Sequence, residues 1–239
     1  MIIDVDVGNS RIKWRALVDK KIVASGSSRA FDETLRRDIE RYGVPDRVRL
    51  SNVADAAAEL AVEAASEHWG ASLQKAVATR EAAGVSCGYE NPATMGVDRW
   101  LAVLAARHLY RNDCVVVDVG SAVTVDLVTA SGEHLGGYIV PGLSMMRQSL
   151  LGGTARVRVE EARSVDTSPG RTTQQAVDHG CLLAVCGLVD TAVKKLSVQP
   201  GKVKVLVTGG DGELLLPLLE GDVMYQKDLV MDGLAVLFP

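Results

Sequence analysis

Residues 4–10 read DVDVGNS and residues 117–122 read VDVGSA, so Asp6-Val7-Gly8 and Asp118-Val119-Gly120 stand 112 positions apart. In both places an apolar run ends in Asp, one spacer, Gly and small polar residues. The simplest reading is a strand closed by a tight turn, because Gly supplies the backbone freedom that a sharp reversal needs. With 23 glycines in the chain, one Asp-x-Gly can be nothing more than such a turn. Two in matching contexts ask for a common cause. After the first, RIKWRALV and KIVASG continue as alternating strands; after the second, VTVDLVTA and EHLGGYIVPG do the same. The chain therefore reads as two halves, 1–111 and 112–239, each opening on a three-stranded meander. Halves of about 110 to 120 residues are large enough to bury a core.

Between the meanders, Phe31, Leu35 and Ile39 have helical spacing, RVRLSNV after Pro45 reads as a strand, and the Ala- and Glu-rich stretch 54–67 as helix. LQKAVAT is a further strand, and Gly96–Tyr110 an amphipathic helix with Asp98 and Arg99 in its first turn. In the second half, helices are expected at 142–151 and 172–195, a strand at KVLVTGG, and closing helices at 211–219 and 228–237. Residues 153–170 mix charge with turn formers and read as an irregular, functional loop.

Composition narrows the function. The chain is 47% apolar and 23% charged with a net charge of -4, which is globular and carries no basic footprint for nucleic acid or anionic lipid. MIIDVDVGNS lacks the cationic flank of a signal peptide, and no apolar run is expected to reach bilayer length, so a cytoplasmic protein without a membrane partner is expected. Cys87, Cys114, Cys181 and Cys186 form no CxxC and the four histidines are scattered, so neither a zinc site nor a disulfide framework is indicated.

A pair of Asp-x-Gly turns suits a polyphosphate: backbone N–H groups approach phosphate oxygens, Asn9, Ser10 or Ser121 adds donors, and the carboxylates hold a cation or its water. If a pseudo-twofold axis relates the halves, the turns face each other across a cleft. There is no P-loop and no GxGxxG. Thr208-Gly209-Gly210-Asp211 follows an apolar strand and suits part of a nucleotide, or is a plain strand-to-helix turn capped by Asp211. Asp98-Arg99 can be helix-start chemistry, Tyr89 a packed aromatic, GGYIVPG a bulge and turn, and Thr173 the start of a helix.

Taken together, DVGNS at 6–10, GVDR at 96–99, DVGSAVTVD at 118–126, GGYIVPG at 136–142, TxxA at 173–176 and TGGD at 208–211 resemble type III pantothenate kinase, in order and across nearly the whole chain. The resemblance implies an α/β fold of two RNase H-like, actin-like ATPase halves, each a mixed sheet flanked by helices, with an interdomain cleft. It implies transfer of the ATP γ-phosphoryl group to pantothenate, the first step towards coenzyme A. By the same resemblance Asp6, Val7, Gly8, Asn9, Ser10, Arg11, Ile12 and Lys13 meet ATP phosphates, with Asp6 also on Mg2+ or another divalent cation. Ser121, Gly209 and Gly210 touch ATP, and Asp118 serves a monovalent cation, K+ or NH4+. Tyr89, Gly96, Val97, Asp98, Arg99 and Thr173 form the pantothenate pocket, with Asp98 as general base; Asp126 supports the cleft, and the enzyme is a homodimer. Ser10 and Ser121 stand where many relatives carry Thr, which keeps a hydroxyl in both places. Two rivals remain: a kinase for another small acceptor, and a nucleotide-binding regulator without turnover.

Overall fold

The protein is described by a computed structural model over residues 1–152, 165–196 and 203–239. Its strands and helices run β1 (Ile2–Val7), β2 (Ile12–Val18), β3 (Lys21–Ser28), α1 (Glu33–Glu40), β4 (Arg47–Asn52), α2 (Ala56–Trp69), β5 (Ser72–Lys75), β6 (Glu81–Ala82), β7 (Val85–Ser86) and α3 (Val97–Leu109). They continue with β8 (Cys114–Val119), β9 (Ala122–Val128), β10 (His134–Pro141), α4 (Leu143–Gly152), α5 (Thr173–Leu196), β11 (Lys204–Thr208), β12 (Asp222–Tyr225) and α6 (Leu229–Leu237). The two large sheets have the orders β3-β2-β1-β4-β5 and β10-β9-β8-β11-β12. In each, the first three strands form an antiparallel meander and the last two lie parallel to the strand that carries the Asp-x-Gly turn. The repeat read from two turns is thus a repeat of whole sheets, and it makes the chain an α/β protein with two mixed sheets.

The chain divides into two compact units, one made of Met1–Ala83, Tyr89–His108 and Asp228–Pro239, the other of Gly84–Gly88 and Leu109–Lys227. In the first, period-two alternation along β1 sends Ile3, Val5 and Val7 into a core with Phe31, Leu35 and Ile39 of the α1 region and Val62 and Trp69 of α2. Local signals start and stop these helices. Asp32 Oδ1 accepts the Leu35 amide at 2.9 Å, Asp55 Oδ1 accepts the Ala58 amide at 3.0 Å, and Gly70 ends α2 in the left-handed conformation at φ 66°.

Asp4 points to the opposite face of β1 and is fully buried. Arg15 Nε donates to its Oδ2 at 2.7 Å and Arg49 Nε to its Oδ1 at 2.6 Å. Arg15 Nη1 reaches Asp232 Oδ1 at 2.6 Å, and Arg49 Nη1 reaches the Phe238 carbonyl at 2.8 Å. Burial opposes the Arg15 charge, but the Asp4 and Asp232 carboxylates overcome it and hold the guanidinium above its ordinary range. This network ties α6 to β1 and β2, and Gly233 lets α6 press on α3: a Cβ there would lie 2.2 Å from the Leu101 carbonyl oxygen.

The second unit packs α5 on its sheet through Leu182, Val185 and Val189, together with Leu143 and Leu215. By length and composition α5 is able to cross a membrane, the one such helix among the described residues, which corrects the expectation that no stretch reaches bilayer length. Its buried face, including Asp178 in an ion pair with Arg147 at 2.8 Å, is that of a core helix. All four cysteines are buried free thiols, and burial pushes Cys186 up to about 11, so it is held as an unreactive thiol.

The closing helix and its cap need correction. The helix expected at 211–219 is two 3-10 turns, Gly212–Leu214 and Leu216–Leu218, because Pro217 removes an amide donor and blocks a continuous α-helix. Asp211 precedes the first of them without a side-chain cap bond. The parallel edge strand β12 went unread, since its four residues carry little apolar signal. Of the expected loop at 153–170, residues 153–164 lie outside the described residues.

Candidate active site

In the first unit β1 ends beside β2 in a four-residue turn, where the Gly8 amide donates to the Arg11 carbonyl at 3.1 Å. A Cβ on Gly8 would meet that oxygen at 3.3 Å, tighter than ordinary contact. Asn9, Ser10 and Arg11 are exposed at the tip, while Asp6 is buried at the root, opposite Lys13 in β2 and beside Ser51 in β4. One carboxylate therefore sits at the mouth of an exposed backbone turn. That is a fitting frame for a polyanion with its counter-ion.

The start of α3 is built just as tightly. Pro92–Thr94 form a 3-10 turn capped by Asn91, and the Gly96 carbonyl accepts the Trp100 amide at 3.1 Å. Asp98 Oδ1 accepts the Arg99 amide at 2.8 Å, and a Cβ on Gly96 would lie 2.7 Å from that same oxygen. Glycine at 96 is thus what lets the Asp98 carboxylate fold back over the helix start. Arg99 is only 6% exposed; its Nη1 donates to the Tyr89 hydroxyl at 2.6 Å, and its guanidinium carbon lies 5.5 Å from the Tyr89 ring centroid. Tyr89 is therefore a partner of the arginine, beyond simple packing.

A groove of about 490 Å³ runs past this helix start, lined by Asn52, Val53, Lys75, Met95, Gly96 and Val97 among others. The Val53 amide donates to the Val7 carbonyl at 3.0 Å, so one groove wall is fastened to the end of β1. Gly96 and Val97 thus line a groove whose Val53 wall is bonded to the last residue of β1, while Asp6 and Asp98 are not among its lining residues. Asn52 and Val53 escaped the sequence reading because nothing in RVRLSNV distinguishes a groove wall from a strand end.

In the second unit three glycine-bearing segments pack backbone against backbone. The Gly120 amide donates to Ala122 and the Gly142 amide to Ser121, each at 3.0 Å. Gly209 has φ 91°, and a Cβ there would fall 2.4 Å from Asp118 Oδ1 and 2.5 Å from the Val119 carbonyl oxygen. Parallel pairing puts Thr208 next to Asp118, the Asp211 amide donates to Val119 at 3.0 Å, and the Tyr225 hydroxyl donates to the Gly209 carbonyl at 3.0 Å. Asp118, Ser121 and Gly209 thus form one cluster at the ends of β8 and β11, with Gly210 next in the chain. GGYIVPG opens at an irregular register between His134 and Gly136 and ends on Gly142, where a Cβ would lie 2.3 Å from the Gly120 carbonyl oxygen.

Two residues sit elsewhere. Asp126 is buried within β9 and its Oδ1 is 3.0 Å from His134 Nε2. Thr173 is exposed at the first position of α5 in the second unit, and the side-chain bond to this helix start comes from Thr172, whose Oγ1 accepts the Gln175 amide at 3.2 Å. Among the described residues no three His, Cys, Asp or Glu side chains form a metal cluster.

The duplicated fold, with an Asp-x-Gly turn at the end of each first strand, is shared by solved structures of other proteins, one of them described as a kinase. A solved structure described as a Baf family transcriptional activator from Campylobacter jejuni matches with TM-score 0.62 at 22% identity, over 98% of this chain and 95% of that one. One described as a 2-dehydro-3-deoxygalactonokinase from Sinorhizobium meliloti gives 0.56 at 13%, over 98% and 97%. At these identities the likeness shows the fold alone. A family model for type III pantothenate kinase matches residues 2–195, and the type III pantothenate kinase of Chromohalobacter salexigens is 39% identical over 249 residues, covering 100% of this chain and 88% of that protein. The chain belongs to the type III pantothenate kinase family, ATP-dependent kinases at the head of coenzyme A synthesis.

Proposed function

We propose that Asp98 is the general base of this kinase, accepting the proton of the primary hydroxyl of pantothenate as that oxygen attacks the γ-phosphorus of ATP to give 4'-phosphopantothenate. The observation that carries this is the Gly96–Asp98 geometry, which holds a carboxylate at a helix start beside the groove. Phosphoryl transfer needs alignment and charge neutralisation above all, and a placed carboxylate completes them. Arg99, braced by Tyr89, supplies a fixed cation for the substrate's carboxylate. Gly96 and Val97 complete the first unit's part of the acceptor site.

Asp6, Val7, Gly8, Asn9, Ser10, Arg11, Ile12 and Lys13 engage the ATP phosphates, and Asp6 would hold Mg2+, whose charge would offset that of the phosphates; a hard carboxylate oxygen suits that ion. Ser121, Gly209 and Gly210 contact the nucleotide. Asp118 serves K+ or NH4+, which supplies fixed positive charge near the phosphates. The two RNase H-like halves follow 1–111 and 112–239 along the chain, except that 228–239 packs with the first unit, and the enzyme works as a cytoplasmic homodimer without nucleic-acid or membrane partners, the exposed Leu183 of α5 belonging to the subunit contact.

Purified protein with pantothenate, ATP, Mg2+ and K+ should form 4'-phosphopantothenate, measured by mass spectrometry; ATP binding without product would favour the regulator. Replacing K+ by Na+ should lower kcat at least severalfold, and equal rates in the two salts would remove Asp118 from its cation role. Gly209→Ala should raise the KM for ATP about tenfold or more, since a left-handed backbone at a non-glycine residue costs about 1–3 kcal/mol and each 1.4 is tenfold. The added methyl would also collide with Asp118. An unchanged KM for ATP would exclude this loop from nucleotide binding.

A further inference from the structure

We propose that Arg80 is a positioning residue for the acceptor pocket, setting pantothenate affinity through the backbone that carries Tyr89. The proposal rests on the reading of Tyr89 and Arg99 as part of that pocket. Arg80 Nη1 donates to the Tyr89 carbonyl at 2.8 Å and Nη2 donates to the Glu90 carbonyl at 2.6 Å. The two bonds use the flat fork of the guanidinium on two successive carbonyl oxygens, a match that a lysine ammonium, as a point donor, cannot reproduce.

This clasp falls where regular structure gives no support. Residues 87–91 belong to neither helix nor strand, so their carbonyl groups lack a ladder. Tyr89 nevertheless has to present its hydroxyl to Arg99 at 2.6 Å and its ring at 5.5 Å from the same guanidinium. Both contacts depend on the place of one backbone unit. Downstream, the Asn91 cap and the Pro92–Thr94 turn fix the path to Gly96. Arg80 fixes the upstream part, so a chain of contacts runs from Arg80 through the Tyr89 backbone and ring to Arg99. Arg80 is itself classed as exposed, which separates it from the core and makes its loss a matter of geometry more than of folding.

The test is a double-mutant cycle of Arg80→Lys with Tyr89→Phe, read as the KM for pantothenate, the KM for ATP, kcat and Tm. Losing charge-assisted bonds that hold a binding group should raise the KM for pantothenate about tenfold in Arg80→Lys, with kcat and the KM for ATP within about twofold and Tm nearly unchanged. In the Tyr89→Phe background the same substitution should cost clearly less, about threefold, because the hydroxyl bond is gone and only the ring contact is left to protect. Equal factors in both backgrounds, or no change of KM in Arg80→Lys while Tyr89→Phe raises it, would overturn the role of Arg80 and leave the pocket standing. No effect of Tyr89→Phe on the KM for pantothenate would instead remove the pocket reading and this proposal with it. A fall of kcat and Tm together with a rise of both KM values in Arg80→Lys would show a structural residue only.

Discussion

Asp98→Asn should lower kcat by about 10²–10⁴-fold, the usual contribution of a positioned general base, while ATP still binds with little change. Asparagine keeps the shape and the acceptor oxygen that receives the Arg99 amide at 2.8 Å, so the α3 start should remain folded. What it removes is the basicity needed to take the hydroxyl proton. Steady-state kinetics with calorimetric ATP binding separates the two effects. Unchanged turnover would take the proton from some other group and leave Asp98 as helix-start chemistry. The substitution also tests the glycine before it, since Gly96 owes its smallness to the same oxygen.

Asp4→Ala should destabilise the protein by about 3–5 kcal/mol, because it leaves two guanidinium groups buried without their carboxylate. Both Arg15 and Arg49 side chains are only 4% exposed, so water cannot take over from Asp4. For a chain of this size the loss corresponds to a Tm lower by roughly 10 °C. Asp4→Asn should cost less, as an amide oxygen still accepts one guanidinium bond. Thermal unfolding followed by circular dichroism reads both, and a shift of under about 2 °C in Asp4→Ala would mean the network adds little net stability. Because Asp4 lies two residues before Asp6 on β1, the variant should also weaken ATP use.

Much of the fold was legible because its signals are local. Alternation in IIDVDV, the Asp-x-Gly turn and the following meander recur in both halves, and a tight turn needs its glycine wherever the strand ends. The candidate residues Asp6 and Gly96–Arg99 were legible for the same reason, each lying within a short contiguous motif. The C-terminal stretch 228–239 was readable as a helix, but nothing along the chain assigns it to the unit that begins at Met1. The charges that hold it there are Asp4, Arg15, Arg49 and Asp232, four residues that look like ordinary solvent-facing positions of three strands and a helix. Arg80 was equally silent, since its partners are carbonyl groups, and carbonyl groups carry no residue identity.

By itself the sequence determined where strands turn, where helices begin and which carboxylates and glycines stand at those ends. These are consequences of φ freedom, apolar spacing and short-range hydrogen bonding. Only the tertiary structure decided that Gly209 presses on Asp118, that Tyr89 braces Arg99, and that a buried carboxylate joins two arginines under the last helix. Such contacts join residues far apart in the chain, and their energies depend on desolvation and on distances of a few ångströms, which exist only once the sheets and helices have packed.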